Sequence, residues 1–341
     1  MVEISIIGVD LAKNSFQVHG ASADGTVVFR KKLSRGRVLK FLAVQPRCTV
    51  AMEACASAHH WGREIGRLGH DVRLIAPIYV KPFVKRQKND AADAEAICEA
   101  AQRPTMRFVA VKSEDKQSSA MVFKTRDLLV RQKTRTINAL RAHLAEFGVI
   151  APKGPAHLGR LVSQVKAPET GLPEPVRTLC LMLIDLVSKL IEQIRVLDGE
   201  IKTRSRNDDV AKRLMTIPGV GPVIATALEA LAPPAETFKR GRDFAAWLGL
   251  VPRQWSTGGK PRLGKISKMG QRDLRRLLII GASAVVRWAA KRGAPEGSWL
   301  ARMLVRKPRM LIVVALANKI ARVAWALMAH GGIYRAPVCA A

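Results

Sequence analysis

A chain of 341 residues is long enough for two or three compact units. Hydrophobic residues make up 48%, which excludes a disordered basic tail. Lys+Arg 57 against Asp+Glu 27 gives a formal charge of +30, and a protein that basic needs a polyanion partner, of which nucleic acid is the usual one.

The first hundred residues alternate between strand and helix patterns. Glu3–Val9 reads as a strand of β-branched residues, followed by Ser15–Gly20 and Thr26–Lys32, with Ala23-Asp24-Gly25 between them as a hairpin signal. Arg35–Ala43 reads as a helix, Cys48–Glu53 as a strand, Ala58–Leu68 as a helix, Asp71–Ala76 as a strand and Asp90–Gln102 as a helix that ends before Pro104. The order β-β-β-α-β-α-β-α predicts an α/β unit, a mixed sheet covered by helices, with the first and fourth strands side by side. Lys116–Phe147 then reads as a long basic helix, and Ile150–Pro175 as a Pro/Gly-rich interruption. Leu179, Leu183, Leu186, Leu190, Ile194, Leu197 and Ile201 form one apolar stripe, which fits a helical hairpin within the chain or a coiled coil between chains. From about Asn207 the chain reads as helical apart from a glycine-rich loop, Ser256–Gly264. Domains are expected at 1–110, 111–206 and 207–341.

Other signals narrow the setting. The opening MVEISIIGVD does not read as a signal peptide, and Met310–Met328, interrupted by Asn318, Lys319 and Arg322, reads as a buried helix and not a membrane span. Cys48, Cys55, Cys98, Cys180 and Cys339 contain no CxxC pair, so neither a zinc site nor a disulfide framework is expected; most fit as small core residues. A reducing cytoplasm and no membrane partner follow as expectations.

The acids are placed where chemistry could use them. Asp10 closes the first strand and Glu53 the fourth, while Asp90 and Asp93 share one face at the start of a helix. Each alone has an ordinary explanation, such as an N-cap for the DxxD pair. Four gathered carboxylates repel unless a cation sits among them, and Mg2+ prefers such oxygen ligands. Two such ions roughly 3.5–4 Å apart stabilise both oxygens of a phosphoryl displacement. His59 and His60, just after Glu53, read as surface residues at a helix start.

The bases gather elsewhere. From Lys239 to Arg309 there are eighteen Lys/Arg against Asp243, Asp273 and Glu296, half of the net charge. Ahead of them, Ile217-Pro218-Gly219-Val220-Gly221 joins two helical stretches; Gly219 and Gly221 fit a helix-hairpin-helix that offers backbone N–H groups to a phosphate, or a plain helix–helix turn. In the loop, Ser256 and Thr257 are followed by Gly258 and Gly259 and surrounded by Arg253, Lys260, Arg262, Lys265 and Lys268. Read alone it is a phosphate-binding turn; an exposed hydroxyl there could also attack a phosphodiester, given a base or metal to activate it. Arg272, Arg275 and Arg276 share a helix face and fit phosphate or RNA binding. The tryptophans Trp247, Trp255, Trp288, Trp299 and Trp325 are expected mostly in the core, with Trp255 placed to stack on a base.

Segment 1–103 resembles an RNase H/RuvC-type nuclease fold with a DEDD tetrad in the order Asp10, Glu53, Asp90, Asp93. Taken together, GVDLAK, MEA, KNDAADA, IPGVG and PRQWSTGGKPRLGKISKMG resemble the transposases of the insertion sequence 110 type, the 1111 subgroup above all. The resemblance implies a RuvC-like catalytic domain, a coiled-coil insertion and a mostly α C-terminal domain carrying a catalytic serine. It further implies a composite site in a homo-oligomer (dimer or tetramer), donor and target DNA as substrates, and a structured noncoding RNA as guide. The family's serine falls on Ser256 when aligned from Ile266-Ser267-Lys268 and on Thr257 when aligned from Pro252-Arg253; the less hindered Ser256 is preferred. The expected activity is RNA-guided recombination of a mobile element through a phosphoserine link, with Mg2+ on the DEDD acids. The alternatives are a metal-dependent junction resolvase that uses water, and a nucleic-acid-binding protein with a decayed site.

Overall fold

The computed structural model describes residues 3–85 and 89–336. The chain forms two compact units, Met1–Gln117 and Ser118–Ala341. Lys88, first residue of the KNDAADA motif, and Cys339 lie outside the described residues.

The first unit is built on strands β1 (Ile6–Asp10), β2 (Ser15–Ala21), β3 (Val27–Ser34), β4 (Thr49–Glu53), β5 (Asp71–Ile75) and a short β6 (Phe108–Val109), in the sheet order β3-β2-β1-β4-β5-β6. β1 runs antiparallel to β2 and parallel to β4, with Val9 opposite Met52. The expected adjacency of first and fourth strands is therefore present. Helices α1 (Val38–Ala43), α2 (Ala58–Arg67), α3 (Pro77–Val80) and α4 (Asp90–Ala101) complete the unit. The central strands are apolar on both faces because both are covered. Ile7, Val9, Val50, Met52 and Leu74 pack with Leu42, Trp61 and Ile65 of α1 and α2. On the other face Ile6, Ala51 and Ile75 pack with Ile97, Cys98 and Ala101 of α4. β6 and α3 are too short to leave a periodic pattern.

In the second unit, α5 (Glu114–Ala145), α6 (Leu158–Lys166) and α7 (Glu174–Asn207) precede α8 (Asp209–Met215), α9 (Pro222–Leu231) and α10 (Gly241–Trp247). α5 and α7 run antiparallel: Arg126 Nε meets Asp198 Oδ1 at 2.5 Å, and Arg204 Nη1 donates to Ser119 Oγ at 2.6 Å. The inward seam of α7 is the heptad Cys180, Val187, Ile194, Ile201 together with Leu190, all buried. Leu190, Ile194 and Ile201 of the expected stripe lie on this seam, whereas Leu179 and Leu186 face solvent at 61% and 45% exposure. α6 forms inside the stretch read as a Pro/Gly-rich interruption, burying Leu161 and Val165 against Leu140 and Leu144.

The chain continues through β7 (Pro252–Thr257), β8 (Lys260–Ile266), α11 (Arg272–Arg292), α12 (Trp299–Arg306) and α13 (Arg309–His330). The segment read as a glycine-rich loop is a two-stranded antiparallel ribbon, with Ser256 opposite Pro261 and Thr257 opposite Lys260. Gly258 (φ +56°) and Gly259 (φ +74°) form its two-residue turn, a geometry that needs positive φ at both positions. α13 is long and apolar enough by composition to cross a membrane. Its Ile312, Val313, Ala317, Ile320 and Ala324 are instead buried with α9, α10 and α11 in the largest core. Cys48, Cys98 and Cys180 are buried as expected, and Cys55 is exposed.

Candidate functional site

Two facts of strand geometry bring the acids together. Side chains alternate across a sheet, so Asp10 shares the face of Ile6 and Gly8, and Glu53 that of Ala51, the face α4 covers. The parallel pairing of Val9 with Met52 then ends both strands at the same level. Gly8 sets the third element. A Cβ there would lie 2.7 Å from the Cys98 backbone nitrogen and 2.8 Å from the Cys98 Cβ, and would also meet the Ala94 carbonyl oxygen. Only glycine lets α4 approach β1 this closely, and that approach carries the first turn of α4 to the end of the strand.

Asn89 caps α4, its side chain accepting from Ala91 N at 3.0 Å. Asp90 and Asp93 are thus free of the capping role that would have explained them. One oxygen from each of Asp10, Asp90 and Asp93 lies within 4.8 Å of the others. Glu53 stands outside that trio but close enough to feel it: burial, then the charge of Asp93, raises its carboxyl above the usual range. Burial, followed by the charges of Asp93, Asp90 and Glu53, pushes Asp10 up to about 6. A set of hard oxygen donors whose mutual repulsion is uncompensated fits a divalent cation of the Mg2+ kind. Of the neighbouring histidines, His60 is exposed, and His59 Nδ1 receives the Lys112 backbone N–H at 3.2 Å.

The ribbon is a different kind of site. Every residue of β7, and all of β8 except Ile266, is exposed. Ser256 Oγ accepts from Gln254 Nε2 at 3.0 Å, two residues back on the same face. Trp255, 53% exposed, lies over Gly264, where a Cβ would come within 2.8 Å of its ring. Arg253 reaches back to the Ser267 carbonyl oxygen at 3.3 Å. Lys260 and Arg262 stand opposite Thr257 and Trp255, beside the hydroxyls, while Lys265 and Lys268 lie farther down the ribbon; all four are exposed.

The three arginines of α11 separate into different roles. Arg275 is buried and donates to the carbonyl oxygens of Leu248 (2.8 Å) and Met269 (3.1 Å), so its guanidinium is engaged by the protein's own backbone. Arg276 pairs with Asp127, which also holds Arg131 at 3.1 Å. Arg272 and Arg276 line a cleft of about 330 Å3 with Lys124, Arg126 and Arg131. At the IPGVG turn, Gly219 (φ +86°) is pressed against α11, since a Cβ there would come 2.8 Å from the Gly281 carbonyl oxygen; Gly221 is open and serves as the N-cap of α9. Trp288 at 58% exposure departs from the core placement expected of most tryptophans, whereas Trp255, set apart from them beside the loop, is exposed.

The sequence reading missed Gly8, Gln254 and the α5 cations Lys124, Arg126 and Arg131. For Gly8 a signal existed: a glycine inside an otherwise β-branched strand marks a close approach.

Residues 211–295 match a family profile described as "Transposase IS116/IS110/IS902 family", and residues 7–148 match the transposase profile DEDD_Tnp_IS110. A "probable family 20 transposase" of Pseudomonas aeruginosa is 49% identical over 98% of this chain and 99% of its own. The transposase for insertion sequence element IS1328 of Yersinia enterocolitica is 41% identical over the same shares. The transposase for insertion sequence element IS1111A of Coxiella burnetii is 37% identical over 98% of this chain and 92% of its own.

Proposed function

The chain belongs to the IS116/IS110/IS902 family of insertion-sequence transposases, and on that premise we propose that it cuts and rejoins DNA through a covalent link to Ser256. It is a DNA transposase; the chemistry below is the reading its residues support best. The observation that carries it is the meeting of Asp10, Asp90 and Asp93 within 4.8 Å, with Glu53 beside them. These acids would hold Mg2+, which when bound supplies charge stabilisation to a phosphoryl displacement. The first unit corresponds in this reading to a RuvC-like domain.

Ser256 Oγ attacks the scissile phosphorus. A P–O bond to serine forms, the P–O bond to one deoxyribose oxygen breaks, the hydroxyl proton is lost to water and the departing oxygen takes a proton from water. The phosphoserine ester keeps the energy of the broken bond, and a strand's free hydroxyl reverses the step in rejoining. Gln254 orients the serine by its hydrogen bond, which favours Ser256 over Thr257. Arg253, Gly258, Gly259, Lys260, Arg262, Lys265 and Lys268 would receive the DNA backbone, and Gly221 at the open start of α9 a further phosphate. Arg272 and Arg276, with the α5 cations, offer a groove for a second strand or a guide RNA. The guide itself rests on family resemblance. The outward residues Leu179, Met182 and Leu186 of α7 are an apolar stripe left over after α5 is packed, and they suit a second copy in a dimer or tetramer.

The test is to trap the protein on DNA carrying its element's ends and map the adduct by mass spectrometry. A nucleotide on peptide 254–260, lost in Ser256→Ala, is the expected result. An adduct on Thr257 moves the nucleophile by one residue. Full cleavage by both hydroxyl variants without any adduct makes the protein a water-using nuclease.

A further inference from the structure

Apart from the acids and the ribbon, the second unit holds a cleft of about 640 Å3 where the start of α10 and α12 face α13. That volume falls in the ~300–1,000 Å3 range of small-ligand pockets. Arg240, Arg242, Lys319 and Arg322 line it, together with Trp299 and Trp325. Among the described residues no carboxylate lines it. Among the described residues, none of the four cations makes an ion pair. The smaller cleft between α5 and α11 differs, because Asp127 and Asp198 answer three of its four arginines.

The walls are fixed. Trp325 Nε1 donates to the Ala235 carbonyl oxygen at 3.0 Å, which holds its ring in place. Gly241 allows the first turn of α10 to seat on α13, for a Cβ there would lie 3.0 Å from the Arg322 carbonyl oxygen and 3.2 Å from the Trp325 ring. Lys319 Nζ sits 5.2 Å from the centroid of the Trp299 ring, so that ring already serves as a platform for a cation. Uncompensated positive charge calls for an anion, and an indole face calls for a flat apolar group. A nucleotide supplies both, and only an unpaired one has its base free to leave a stack.

We propose that this cleft captures one unpaired nucleotide of a nucleic-acid strand. The base lies on Trp299, and Arg240, Arg242 and Arg322 hold the flanking phosphates. Lys319, on its flexible stem, moves its ammonium from the ring toward the phosphate. The inference rests on the chain's handling of nucleic acid, but not on the metal or the serine, and it is tested by binding alone.

Full-length protein is titrated with 12-residue oligo(dT), oligo(rU) and a duplex of equal length, with Trp299→Leu, Trp299→Phe, Arg322→Gln and the distant Trp288→Leu compared. Trp299→Leu should weaken single-strand binding about 10-fold, the scale of one lost base–aromatic stack, and leave duplex binding unchanged. Trp299→Phe should keep affinity within about 3-fold because the ring face remains. Arg322→Gln should reduce the salt dependence of single-strand binding by about one phosphate contact, and serves as the check should Trp299→Leu fold poorly. Strands carrying 5-iodouracil should crosslink to Trp299, and whichever of DNA or RNA binds more tightly identifies the source. Equal losses for single strand and duplex, an unchanged Trp299→Leu with a weakened Arg322→Gln, or crosslinks only at the ribbon would each overturn the proposal. Loss of strand transfer in Ser256→Ala with normal single-strand binding leaves it standing.

Discussion

The acid cluster and the hydroxyl ribbon are held in opposite ways. Asp10 and Glu53 end buried central strands, and the helix bearing Asp90 and Asp93 is clamped to the sheet at Gly8. Ser256 and Thr257 ride on two strands with no core beneath them. An isolated two-stranded ribbon is marginal in water, and this one draws little of its order from the core. The lesson is that preorganisation is spent on the side where four negative charges must be kept together, the arrangement that would otherwise fly apart. The hydroxyls face no such repulsion and stand on exposed strands.

Changes on the two sides should therefore read out differently. The largest effect belongs to Asp10→Asn, which should lower strand cleavage by about 10³-fold, the several kcal/mol that a lost metal clamp represents, with the fold intact by circular dichroism. Cleavage at the wild-type rate would remove the acids from the chemistry. Gly8→Val comes next. Its side chain meets backbone of α4, and denaturant unfolding should report a loss of about 3 kcal/mol together with weakened Mg2+ binding by calorimetry.

A smaller effect comes from pH. The folded Asp10 carboxyl at about 6 lies above its unfolded value, so the native state binds that proton more tightly. The penalty from this acid is absent below about pH 4, grows as pH rises and is complete above the folded value near 6. In EDTA, Asp10→Asn should then stabilise the protein by about 1–2 kcal/mol at pH 8 and leave it unchanged at pH 4. An equal gain at both pH values would mean that relief of packing, not of charge, is responsible. The smallest effect is on the other side: Trp255→Ala should change thermal stability by less than about 0.5 kcal/mol while reducing adduct formation, because the ribbon contributes nothing to the core.

How much of this could be read beforehand follows from the same contrast. The adjacency of the first and fourth strands, which end at Asp10 and Glu53, and the helical start at Asp90 were legible because buried strands and a capped helix leave strong patterns in residue type. The ribbon was read as a loop because both of its faces meet solvent, and alternation of apolar and polar residues arises only where one face is buried. Its turn signal, Gly258-Gly259 between extended residues, was present and was passed over. Arg275 was grouped with Arg272 and Arg276 because helical spacing assigns a shared face but cannot tell that one member of it turns inward to backbone carbonyls. The seam of α7 is legible at Leu190, Ile194 and Ile201 but not nearer the start of the helix, where leucines stand on both the inner and outer stripes and composition alone does not rank them.

The exposure of the ribbon has a last consequence, for the lifetime of the protein. Arg253, Arg262 and Lys265 stand on an exposed ribbon that no core covers, where trypsin-like enzymes can reach the side chains, whereas Pro261 blocks cleavage after Lys260. Free protein should be nicked there first, before any helix of the largest core. If the ribbon holds nucleic acid as proposed, the same bonds should become shielded, and nicking should slow when DNA is added.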